Sequence, residues 1–119
     1  MWTYHQGSGL WVGHGLQWQG YAGHGEGKNN PARQAERGVG PIPCGLWSII
    51  GPPQELPSRH YFLRLEPLPG TEAFGRDGFL LHGDSLEHPG DASEGCIVQG
   101  PTCRKTVWES GDHVVEVVP

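Results

Sequence analysis

The sequence predicts an all-β fold in one domain spanning residues 1–119. Three observations point there. Glycine (20 residues) and proline (11) cut the chain into short runs without a Gly-x-y period, the pattern of many tight turns between strands. Five Trp, three Tyr and three Phe supply bulky core material. Within the runs, apolar residues alternate with polar ones at the period of a half-buried strand. One short helix is read near residues 103–110.

Taken in order, residues 1–24 read as a meander of Trp2–Gln6, Gly9–Val12 and Leu16–Tyr21, separated by Gly7-Ser-Gly and Gly13-His-Gly. Trp2 and Tyr4 alternate with polar partners, as do Leu16 and Trp18, and aromatic side chains pack well across strands. His24–Pro31 is a loop, because Gly and Asn tolerate positive φ and Pro31 has no N–H to give a ladder. Pro31–Gly38 predicts one or two helical turns stopped by Gly38. Gly40–Gly45 is extended, since each proline fixes its own φ and restricts its predecessor.

Gly45–Ile50 is a strand, followed by a loop over Gly51–Pro57. His60–Leu68 is a second strand with Tyr61, Leu63 and Leu65 on one face, ending at an edge at Pro67. Gly78–Gly83 is apolar and central, and delivers His82 at its end. Cys96–Gln99 is a short strand after a glycine turn. Thr102–Ser110 is the helix, with Thr102 as N-cap and Gly111 past its end, and His113–Val118 closes the chain as a strand. No repeat, linker or low-complexity tract interrupts this order.

Composition excludes several functions. A net charge of −5 argues against nucleic-acid binding, which needs a basic face. No apolar stretch is long enough to insert in a membrane. Met1-Trp-Thr-Tyr-His lacks the basic and apolar regions of a secretory signal, so synthesis in the cytoplasm without a signal peptide is expected. No Cys-x2-Cys, His-x-His or His-Glu-x-x-His spacing occurs, so neither a metal nor another cofactor is expected. The three cysteines, Cys44, Cys96 and Cys103, leave one free if two pair. A Cys44–Cys103 bridge is open.

The chemistry concentrates in Phe79-Leu-Leu-His82-Gly83-Asp84 and Ser93-Glu94-Gly95-Cys96-Ile97. His82 and Cys96 are separated by thirteen residues, each beside a strand-like run and a glycine. A thiol needs a base to become a nucleophile, and a histidine on a neighbouring strand supplies one. Cys96 is therefore the candidate nucleophile, in a turn rather than inside an apolar run. His82 is the candidate base, and Gly95 lets backbone N–H groups approach an oxyanion. Ser93 positions substrate or caps the turn, Asp84 orients His82 or caps a turn, and Glu94 faces either solvent or the site. Tyr21, Lys28 and Asn30 lie in loops suited to line a substrate groove, and Arg104 suits a substrate carboxylate.

These residues also carry a resemblance. His82-Gly83 with Ser93-Glu94-Gly95-Cys96-Ile97 resembles the active-site motif of L,D-transpeptidases of the YkuD type. Trp2-Thr3-Tyr4, Gly20-Tyr21-Ala22-Gly23, Gly27-Lys28-Asn29-Asn30-Pro31 and Gly40-Pro41-Ile42-Pro43-Cys44-Gly45 extend the likeness over nearly the whole chain. They point to one offshoot, the L,D-transpeptidase-like effectors of type VI secretion systems. Glu94 stands where the common motif has a second histidine, and the spacer from His82 to Ser93 is short. Both departures fit the effectors better than the housekeeping enzymes.

The resemblance implies a YkuD-like β-sandwich or barrel and a substrate in the peptide stem of peptidoglycan. It implies that the Gly83 carbonyl orients His82. It further implies injection into the periplasm of a target bacterium, a cognate immunity protein, and action as a monomer. Two other classes compete. A cysteine peptidase of the NlpC/P60 type places cysteine before histidine in the chain, the reverse of the order here. A non-catalytic wall-binding or phage-structural β-domain would leave Cys96 inert.

Overall fold

A computed structural model describes residues 1–119. Nine strands form one sheet in the order β3-β2-β1-β9-β5-β6-β7-β8-β4, which curls into a nearly closed barrel. The strands are β1 (Trp2–His5), β2 (Leu10–Gly13), β3 (Leu16–Gln19), β4 (Tyr21–Ala22), β5 (Gly45–Leu56), β6 (Arg59–Pro67), β7 (Leu80–His82), β8 (Ile97–Val98) and β9 (Val114–Val118). The one α-helix, α1, spans Pro101–Glu109.

Period-two alternation builds the core. Trp2 and Tyr4 of β1 are fully buried, as are Trp11, Trp47, Leu63, Leu81, Ile97 and Val115. The edge of Phe79 meets the Trp47 ring at 5.0 Å between centroids. Cys103 and Val107 bring α1 onto the same cluster. The first and last strands lie side by side in parallel, Trp2 opposite Val115 and Tyr4 opposite Val117.

Gly20 closes the barrel. It joins β3 at one end of the sheet to β4 at the other, and its N–H donates to the Gly9 carbonyl at 2.9 Å. A Cβ here would run into the Val98 carbonyl and the Gln99 side chain. The predicted run Leu16–Tyr21 is therefore two strands that part at Gly20.

The hairpin of β5 and β6 departs further from expectation. The loop predicted over Gly51–Pro57 is strand to Leu56, and only residues 57 and 58 turn. The pairing slips between Ile50↔Arg64 and Gln54↔Phe62, so Pro52 and Pro53 fall in an irregularity where no ladder N–H is needed. A second slip lies between Gln54 and Leu56, beside Tyr61 with its φ of 47°. Tyr61 thereby leaves the face of Leu63 and Leu65, and Phe62 is buried in its stead. Pro67 ends β6 as expected, yet β6 is an interior strand between β5 and β7.

Three smaller corrections concern caps and cysteines. Gly100, not Thr102, is the N-cap of α1, because Pro101 fills the first helical position, where its missing N–H costs nothing. The turns expected after Pro31 shorten to a 3-10 turn over Pro31–Arg33, capped by Asn30. All three cysteines are free: Cys44 donates its S–H to Gln6 at 3.3 Å, while Cys103 is buried in the core.

Candidate active site

The parallel pair β7–β8 sets the site. Leu81 lies opposite Ile97 and His82 opposite Val98. Leu81 and Ile97 point into the core, both fully buried. His82 follows Leu81 at the end of β7, and Cys96 immediately precedes Ile97 of β8, so the two candidates flank this pair.

His82 is held by its own strand end. Its Nδ1 lies 2.7 Å from the Gly83 carbonyl. A carbonyl only accepts, so the proton sits on Nδ1 and Nε2 is left bare. The ring is 3 % exposed. Burial pushes its pKa below the usual 6.5, as do the charges of Arg59 and Arg104, while the Gly83 contact and Asp84 pull upward without prevailing. The imidazole is therefore neutral at pH 7, the form a base requires.

Cys96 is shaped by backbone. Leu80 N–H donates to its Sγ at 3.3 Å, and the Gly78 carbonyl lies 3.8 Å away. Burial pushes the thiol above 9.0; the Leu80 N–H, Arg59, its own N–H and Arg76 oppose this without overcoming it. Gly95 has φ 144°, and a Cβ there would strike Arg76. Arg76 is itself buried, with Nη1 donating to Pro41 at 2.9 Å and Nη2 to Gly40 at 2.8 Å.

Ser93 ties this turn together. Its Oγ accepts from Gly23 N–H at 2.9 Å and Gly95 N–H at 3.0 Å, and donates to the Cys96 carbonyl at 2.7 Å. The Gly95 N–H is thus engaged within the turn. The N–H that faces the Cys96 sulfur is that of Cys96 itself.

Two cavities with no lining residue in common lie here, one at His82 and one at Cys96. A groove of about 1190 Å³ is bordered by Tyr21, Arg59, His82, Gly83, Asp84 and Arg104. A smaller cavity of about 300 Å³ holds Cys96, Gly95, Glu94 and Phe79. No hydrogen bond joins His82 to Cys96, and contacts of this kind tighten when substrate binds.

The remaining candidates divide. Asp84 does not reach His82; it accepts from Tyr21 Oη at 2.6 Å, Ser85 N–H at 2.8 Å and Gly90 N–H at 3.0 Å. Burial would raise its pKa, but these bonds and Lys28 hold the carboxyl below the usual carboxylate range. Tyr21, with its hydroxyl pushed up to about 12 by burial and by Asp84, also accepts from Ala92 N–H at 2.8 Å. Lys28 donates to the Gly90 carbonyl at 2.7 Å and stands over the Tyr21 ring. Tyr21, Lys28 and Asp84 therefore fix the 84–92 loop as a groove wall. Lys28 does not line the groove, and neither does Asn30, which caps Pro31–Arg33 and donates to the Glu26 carbonyl at 2.9 Å.

The family model of the Tlde1 domain matches residues 17–110. The chain belongs to the Tlde1 domain family. The family is one of type VI secretion effectors related to L,D-transpeptidases, proteins secreted to act in a target cell, and peptidoglycan is the target that fits it. No curated protein and no solved structure matches the chain. Every candidate site residue lies within the matched span.

In this Tlde1 domain two arginines stand differently from the sequence reading. Arg104, read as suited to a substrate carboxylate, is 6 % exposed. It donates to the carbonyls of Gln99 at 3.0 Å, His60 at 2.6 Å and Tyr61 at 2.9 Å. Its guanidinium pins the base of the β5–β6 hairpin tip to the start of α1. Arg59, the first residue of β6, borders the groove at that tip and was missed. It belongs to no motif, and only the pairing of β5 with β6 brings it to His82.

Proposed function

We propose that this Tlde1 domain, residues 1–119, is a cysteine enzyme that cleaves the L,D bond before the terminal D-alanine of a peptidoglycan tetrapeptide stem. The observation that carries the reading is the His82 tautomer: Nδ1–H on the Gly83 carbonyl leaves a neutral, bare Nε2 at the end of β7, the strand paired with the one that Cys96 precedes. His82 Nε2 takes the thiol proton as Sγ attacks the carbonyl carbon of diaminopimelate. The Cys96 N–H stabilises the oxyanion. Collapse expels the amine of D-alanine, which takes its proton from His82, and leaves a thioester on Cys96. Water releases the tripeptide in a carboxypeptidase. The amine of a free D-amino acid or of a second stem replaces water in exchange or cross-linking.

Delivered by a type VI apparatus into a rival's periplasm, such an enzyme is an antibacterial toxin, and its producer needs an immunity protein that blocks the groove. Mass spectrometry of tetrapeptide muropeptides tests the reading. The protein is expected to remove one D-alanine, and added D-methionine to appear in its place if exchange operates. Muropeptides of unchanged mass after incubation with folded protein would favour a non-catalytic wall-binding domain.

A further inference from the structure

We propose that Arg59 binds the free C-terminal carboxylate of the stem and so restricts the site to unblocked stem ends. The inference rests on the cleavage reading above and adds the recognition that reading lacks.

The arginines first sort themselves by partner. Arg33 pairs with Glu26 and Glu36, Arg37 with Asp77, and Arg64 with Glu66. Arg76 and Arg104 are engaged by backbone carbonyls. The Arg59 side chain alone makes no hydrogen bond and no ion pair; it only lies over the Phe62 ring at 5.7 Å. The acid nearest in sequence, Glu55, is taken by His60 at 2.9 Å and by Tyr61 N–H at 3.1 Å.

Its place suits a ligand. Arg59 borders the same groove as His82, and its charge acts on both His82 and Cys96. When the bond breaks, the leaving nitrogen must lie within about 3 Å of His82 Nε2 to receive its proton. In a C-terminal D-alanine only one carbon separates that nitrogen from the carboxylate. The carboxylate is therefore delivered beside His82, where a partnerless guanidinium offers a planar fork. Arg104 keeps this fork in place through the carbonyls of His60 and Tyr61, the next two residues. In exchange, the carboxylate of an incoming D-amino acid occupies the same fork.

The test compares a tetrapeptide stem ending in D-alanine with the same stem ending in D-alaninamide. The wild type is expected to favour the acid by roughly 10- to 100-fold in kcat/KM, the range of a charge-assisted pair. Arg59→Gln is expected to lose that factor on the acid and little on the amide, and Arg59→Lys to keep part of it. Equal use of acid and amide by the wild type, or equal losses on both in Arg59→Gln, overturns the proposal. Should the wild type turn over neither stem, the cleavage reading fails by itself. Calorimetric titration of Cys96→Ala with both stems then decides on Arg59: acid-selective binding that Arg59→Gln abolishes upholds it, and unselective or absent binding overturns it.

Discussion

At Cys96 and His82, protonation sets the order of events. Burial raises the thiol and lowers the imidazole, so the resting pair is a neutral thiol and a neutral base rather than an ion pair. In the proposed reaction the proton moves during attack. His82 must be neutral, and its pKa lies below 6.5, so kcat/KM is expected to fall only on an acid limb with its midpoint below 6.5. In the free protein, alkylation of Cys96 by iodoacetamide is expected to rise with pH toward a midpoint above 9.0. Rapid alkylation that is flat from pH 6 upward would show a preformed thiolate instead. The same depression links His82 to stability. The unfolded chain binds the proton first, so the contribution is complete above 6.5 and drains away as pH falls toward the lower folded value. The candidates His82, Gly83 and Cys96 were legible in sequence because the proposed chemistry needs those residue types beside those turns. Arg59 was not, since a lone surface arginine carries no local signal.

Among the elements, the β5–β6 hairpin governs the groove. Its tip reaches His82 only because β5 runs past Pro52 and Pro53 to Leu56, and Arg104 holds it there. Replacing Arg104 by Met removes a buried guanidinium from three carbonyls. The variant is expected to lose about 3 kcal/mol in denaturant unfolding, and its activity to fall through KM more than through kcat as the tip loosens. An unchanged KM with lost kcat would place Arg104 at the reacting atoms. Trp2–His5, with its clean alternation, and the valine-rich Val114–Val118 were readable as strands. The length of β5 was not, because prolines normally stop a strand and the register slips that accommodate them depend on β6. The capping of α1 by Gly100 and the division at Gly20 likewise depend on what packs there.

The whole barrel sets β7 beside β8 and closes through β4. The Tlde1 match over residues 17–110 takes in β3 to β8 and α1, hence the groove and both candidate catalytic residues. β1, β2 and β9 lie outside it and complete the core through Trp2, Tyr4, Trp11, Val115 and Val117. The fold class was evident from the glycine and proline punctuation. The order of strands was not, because β1 beside β9 and β4 beside β8 are pairings between distant segments. The central claim is that Cys96 carries the acyl group. Its most direct test is acid-quenched single-turnover mass spectrometry of the protein mixed with a tetrapeptide stem, followed by peptide mapping. The account predicts a transient tripeptide adduct on Cys96 and on neither Cys44 nor Cys103, absent in Cys96→Ala. Stem consumption with no cysteine adduct, or undiminished in Cys96→Ala, would contradict it.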